Sequence, residues 1–174
     1  MDAAITTLIV GVGTVGMMGL LAAGTVSNQE TAQLTTAIQL ANNIHELCDR
    51  LSFADSGHFW GPQSGQAAPN IKNITELGGA LSSGVATSAT YSASAGTGPL
   101  DANQNVVSGM TGWGQTVTVH SVDPTQSVTS NASTDNDNTT IPVASGGGYP
   151  MARVTVSVTY DGNQVYQTSW LVAQ

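Results

Sequence analysis

Between Ala3 and Val26 the chain runs for 24 residues without a charged side chain, almost entirely in Ile, Leu, Val, Met, Gly and Ala with a few Thr. About 20 such residues suffice to cross a bilayer as a helix. The run lacks a basic flank and is longer than the roughly 7–15 apolar residues of a signal-peptide core, so it reads as a permanent segment. Helical patterning continues beyond it. Leu34, Ile38, Ala41, Ile44, Cys48 and Leu51 recur at steps of three and four, with Leu40 and Leu47 widening the stripe. No proline occurs before Pro62. One helix from about Ala3 to Phe53 is therefore expected, about 75 Å long at about 1.5 Å per residue. A chain of 174 residues cannot bury such a rod, so its first half must project into lipid or into other protein.

Gly11, Gly13 and Gly16 spell the G-x-G-x-x-G of dinucleotide-binding turns. That turn needs an amphipathic helix and then a second strand carrying an acidic residue roughly 20 positions on. Here the residues after Gly16 are apolar on every face, and the second strand would fall on the helix of residues 27–53. The motif is an accident of composition, and no cofactor is expected. The five glycines Gly11, Gly13, Gly16, Gly19 and Gly24 cost a helix about 4–5 kcal/mol in water. Lipid masks that cost, and small residues let neighbouring helices approach closely.

After Pro62 the texture turns to Gly, Ser, Thr and Asn with short alternating runs, which predicts antiparallel strands and long loops. Thr116 to Val122 alternates, and Ala152 to Val172 reads as a hairpin around Asp161-Gly162. A three-residue loop, Asp161 to Asn163, pairs Val158 with Tyr166, Val156 with Thr168, Val154 with Trp170 and Ala152 with Val172. That gathers the large apolar groups on one face, which should lie on the helix stripe. A two-residue loop would pair Val156 with Gln167 instead. Residues 82–98 and 127–148 read as exposed loops or weak edge strands. The expected fold is α+β: a long N-terminal helix, apolar then amphipathic, packed on a C-terminal antiparallel sheet. Residues 1–26 would form the apolar membrane or filament-core half and 27–174 a globular domain, with the amphipathic helix over 27–53 and sheet and loops over 54–174.

Chemistry is sparse. Only 3 Lys and Arg oppose 11 Asp and Glu, and charged residues make up 8% of the chain, so clustered cations for nucleic acid are missing. Cys48 lies at helical spacing with Ile44 and Leu51 and reads as a buried apolar side chain. His45 and Glu46 point apart on the helix, and His58 and His120 have no recognisable partners. No zinc, metalloprotease or nucleophile-elbow spacing occurs, so no enzyme is expected. Asp135-Asn136-Asp137-Asn138 offers four oxygen donors but no distant bidentate glutamate, and reads as a solvated turn. The sequons at Asn73, Asn131 and Asn138 are the triplets an Asn- and Thr-rich chain produces by chance.

The segment TLIVGVGTVGMMGLLAAG resembles the N-terminal helix of the type IV pilin and pseudopilin superfamily, in its minor-pilin and type II secretion branch. TTAIQLANNIHELCDRL, Thr35 to Leu51, is similar to the following helical segment there, and VTVSVTY…W to the last hairpin. The resemblance covers about the first 53 and last 20 residues. It implies a subunit of an extracellular filament that polymerises through its apolar helix, with Met1, Asp2, Ile5, Gly11, Gly13 and Gly16 at the assembly surface. Its implied partners are other copies of itself, the inner membrane before assembly, and a pilus or secretion assembly machinery. Its implied location is the cell surface, fed by an inner-membrane pool. Ile5 stands where the family usually has the glutamate that neutralises a neighbour's N-terminal amine, and Asp2 is the nearby anion that would replace it. No basic leader precedes Met1, so the chain reads as already processed. A low-copy pseudopilin, or a binding domain tethered to the membrane, is the alternative.

Overall fold

The computed structural model describes residues 2–52, 71–78, 88–122, 137–138 and 151–173. Its architecture is α+β, as expected. Helix α1 spans Asp2–Arg50, and after it come a single turn, α2 (Ile74–Leu77), and five strands: β1 (Ser88–Ser92), β2 (Trp113–Val122), β3 (Asp137–Asn138), β4 (Met151–Tyr160) and β5 (Asn163–Ala173). Two compact units divide the chain, residues 1–36 and 37–174. The first is helix throughout its described length. The second holds the rest of α1 and one antiparallel sheet in the order β1-β2-β4-β5, with β3 adding to the far end of β2.

Strand alternation builds the core of this second unit. Ala152, Val154, Val156 and Val158 of β4 face inward and are fully buried, beside Gln115, Val117 and Val119 of β2. Tyr166, Thr168, Trp170 and Val172 of β5 stand opposite the β4 set on the same face, in the pairing read from the sequence. The loop that achieves it is shorter than expected. Tyr160 pairs with Asn163, so only Asp161 and Gly162 turn the chain, both at positive φ (47° and 80°) as a type I′ turn requires. A two-residue loop alone would pair Val156 with Gln167. The structure avoids this with a bulge after Val158, where Thr159 pairs with Gln164 and Val165 becomes the extra residue. Burial of the apolar set fixes the register, and the bulge absorbs the mismatch.

The helix face is also corrected. Ala37, Leu40, Ala41, Ile44, Leu47 and Cys48 are buried against the sheet, with Leu51 half-buried at the end of the row. Leu34 and Ile38, expected in the helix–sheet core, are 43% and 37% exposed, while Leu40 and Leu47 lie at its centre. Steps of three and four fit two overlapping stripes about one position apart. Packing selects the one that buries Leu40 and Leu47 in the core cluster.

Two polar devices are built into the core, and the first locks the sheet to the helix. Gln115 is fully buried on the inner face: its amide donates to the carbonyls of Leu40 on α1 (2.8 Å) and of Leu100 (3.2 Å), and its carbonyl accepts from the Leu100 N–H (2.7 Å). The loop it holds is closed on itself by Asp101, whose carboxylate accepts the N–H groups of Asn103 and Asn105, both at 2.8 Å. Burial opposes ionisation of Asp101, but these donors and the Arg50 charge outweigh it and hold the carboxyl below its ordinary range. Arg50 in turn donates to Asn103 and to the Ala102 carbonyl, tying the end of α1 to this loop.

The second device is at α2. Asn73, 1% exposed, caps that turn by accepting from the Glu76 N–H (2.9 Å), while the Glu76 carboxylate accepts from the Lys72 N–H (2.7 Å) and from the Asn73 amide (3.2 Å). This is a capping box shifted by one residue. The Asn73 sequon is thereby spent on structure. Asn73→Ala should cost about 1–2 kcal/mol in urea unfolding, and the folded domain should stay unmodified at Asn73 when exposed to a glycosylating system, read by intact mass.

Candidate functional site

The first unit presents an apolar surface with no cover of its own. From Leu8 to Val26 every large apolar side chain is exposed, with Leu20 at 79% and Val26 at 55%. By length and composition the segment is able to cross a membrane. A Cβ added at Gly11, Gly13, Gly16, Gly19 or Gly24 would meet nothing within 4 Å, so these glycines are shallow notches along the rod. Its described hydroxyls are turned inward onto the helix backbone: Thr7 donates to the Ala3 carbonyl (2.8 Å), Thr14 to those of Val10 and Gly11 (3.1 and 2.9 Å), and Thr25 to that of Ala22 (2.8 Å). A surface whose polar groups are satisfied internally can enter lipid or a helix bundle without stranding a donor. Asp2 and Ile5 are helical, but their side chains and all of Met1 lie outside the described residues.

The remaining candidates are placed as follows. His45 stacks edge-on against Trp170 with ring centroids 4.7 Å apart, and its Nδ1 is 3.8 Å from Asp49 on an exposed stretch of α1. His120 lies on the outer sheet face opposite Arg153. His45 is thus on the helix and His120 on the sheet, and His58 lies outside the described residues. Among the described residues no group of three or more His, Cys, Asp or Glu is arranged to hold a metal. Of the Asp135–Asn138 run, Asp137 and Asn138 form the short strand β3, and the other two lie outside the described residues.

Cys48 is buried in the core, and burial, reinforced by the Asp49 charge, pushes its thiol up to about 12. Tyr91 is raised too, by burial first and then by Cys48, and donates its hydroxyl to the Leu77 carbonyl at 2.9 Å. Both groups are neutral in the fold and ionise earlier in the unfolded chain. Their contribution is therefore complete below about pH 9 and declines as pH rises toward 12, by about 1.4 kcal/mol per pH unit for each group that differs. Unfolding midpoints should fall steeply above about pH 9, and Cys48→Ala should flatten the first part of that fall.

Sequence reasoning missed two elements of the second unit, the α2 capping turn and the Gln115 anchor. Asn73-x-x-Glu76 was the available signal for the first. Nothing local marks Gln115, a polar residue at an inward position of an otherwise alternating strand. Comparison with protein-family models, curated proteins and solved structures finds no match to this chain.

Proposed function

We propose that the chain is a structural subunit of an extracellular type IV pilus-like filament, polymerising through its N-terminal apolar helix, with a structural and not an enzymatic role. One contrast carries the reading: Ala37, Leu40, Ala41, Ile44, Leu47 and Cys48 are buried within their own fold, while the apolar groups of Leu8–Val26 are all exposed on one helix. An exposed apolar rod of that length needs lipid or sibling helices around it. Both environments suit a subunit that waits in the inner membrane and is then lifted by an assembly machinery into a bundle of like helices. The uncharged, proline-free run and the α+β order support the same reading, as does the resemblance of the helix and last hairpin to pilins and pseudopilins. In such a bundle the Asp2 carboxylate of one copy would pair with a cationic group of a neighbouring copy, because an unpaired charge in an apolar core is too costly to leave.

Shearing cells and imaging the released material tests the proposal. Fibres built from this chain are expected. Protein retained wholly in membranes would overturn it in favour of a low-copy pseudopilin or a tethered binding domain. Normal fibres from Asp2→Ala would reject the charge pairing alone.

A further inference from the structure

The outer face of the sheet carries a regular polar lattice. Row by row across β1, β2, β4 and β5 it reads Ser88, Thr118, Thr155, Ser169; then Thr90, Thr116, Ser157, Gln167; then Ser92, Gly114, Thr159, Gln164. Eleven of these twelve positions bear a hydroxyl or a carboxamide, and none is charged or apolar. The uncharged field ends at the next row, where His120 faces Arg153. Its one gap is Gly114. Beside it lies a half-open hollow of about 550 Å³ at the end of the sheet, rimmed by Thr90, Ser92 and Thr159 and bordered by Trp113, the Ala93–Ser94 turn, the Thr111–Gly112 approach and Gly162 of the hairpin. That volume lies within the range of small-ligand sites.

Gly114 forms part of the hollow's floor, and its neighbours close in over it: a Cβ there would stand 2.9 Å from the Thr159 hydroxyl and 3.6 Å from the Ser92 Cβ. The rim hydroxyls are held in place. Thr90 and Thr116 hydroxyls are 3.1 Å apart, as are those of Ser92 and Ser94, and the Ser92 hydroxyl also accepts the Ala95 N–H at 3.3 Å. A hydroxyl so fixed still has unused bonding capacity, since each carries one hydrogen and two lone pairs.

We propose that this hollow binds a neutral saccharide unit, with the hydroxyl lattice beside it as the track for further units. Among the described lining residues none is charged, and the charge nearest the rim is the Asp161 carboxylate beside Gly112, which disfavours an anion. A purely apolar ligand would leave the remaining bonding capacity of the rim hydroxyls unused. A polyhydroxylated neutral ring satisfies them as both donor and acceptor, and its C–H face lies on the Thr methyls and Ala93. The inference is independent of the filament reading, because the hollow lies wholly within the second unit.

The test uses the full chain in a detergent without a sugar headgroup, titrated with maltotriose, cellotriose and N-acetylated chitotriose while amide resonances are followed. At least one trisaccharide is expected to give saturable shifts centred on Ser92, Gly114 and Thr159. Thr159→Val, which keeps the shape and removes a hydroxyl, should weaken binding about tenfold. Ala93→Leu, an exposed turn position at the mouth, should abolish it without altering the far-UV spectrum. No saturable shift from any of the three at about 10 mM, a concentration at which even weak sites fill, overturns the proposal. So does undiminished binding in a folded Ala93→Leu.

Discussion

Gln115→Leu should unfold this domain at markedly lower urea than the native chain, with a loss of about 3 kcal/mol or more. The substitution conserves volume and adds apolar surface, so an account based on hydrophobicity alone expects it to be harmless or helpful. Three bonds say otherwise. The side chain is fully buried and serves the Leu100 N–H, the Leu100 carbonyl and the Leu40 carbonyl at once, joining a loop, a central strand and the helix. Removing it leaves two backbone groups of Leu100 away from water with no replacement, and the penalty of each is about 1–3 kcal/mol. Gln115→Glu adds a second expectation. It keeps an acceptor for the Leu100 N–H and loses the donors, so it should be destabilising at neutral pH and partly recovered in acid, where the carboxyl regains a proton to donate. Urea unfolding of the full chain in detergent reads both, and native-like stability of Gln115→Leu would show the anchor to be dispensable.

Ile44→Ala should cost about 2–5 kcal/mol, while Ile38→Ala, less than two turns earlier on the same helix, should stay within about 1 kcal/mol. Ile44 is fully buried in the cluster with Val117, Val154 and Val156, so its truncation leaves a cavity that rigid strands cannot close. Ile38 is more than a third exposed and leaves none. The pair distinguishes the two stripes of α1 directly. Were Ile38→Ala and Ile44→Ala equally costly in the isolated subunit, the helix would be seated one position away from where the structure has it. Under the filament reading the exposed stripe gains a second expectation: Leu34→Ala and Ile38→Ala should spare folding yet reduce fibre yield in the shearing assay.

The largest features were legible before any coordinates. An uncharged apolar run, an unbroken helical pattern with no proline, and strict alternation in Ala152–Val158 are one-dimensional patterns. They translate into elements because backbone geometry has only two periods, about 3.6 and 2. The same periodicity placed Ala41, Ile44, Cys48, Val154, Val156 and Val158 correctly in the core, and the residue pairs of the β4–β5 hairpin. The hairpin shows where such reading stops. Pairing follows from burial and was legible; whether the chain reaches it by a longer loop or by a tight turn plus a bulge depends on the twist of the assembled strands.

What the sequence determined by itself is the division of labour: one apolar rod that needs surroundings and one domain that folds on itself, set by the distribution of charge and hydrophobicity along the chain. Tertiary structure decided which of two overlapping helix stripes meets the sheet, which polar side chain is admitted to the core as Gln115, and which side chains close in over Gly114 on the outer face. Each of these depends on which groups meet across 15 to 75 positions of chain, as the Gln115 bonds to Leu100 and Leu40 do. A local pattern carries the cost of exposing a residue, but only the packed arrangement says what that residue touches.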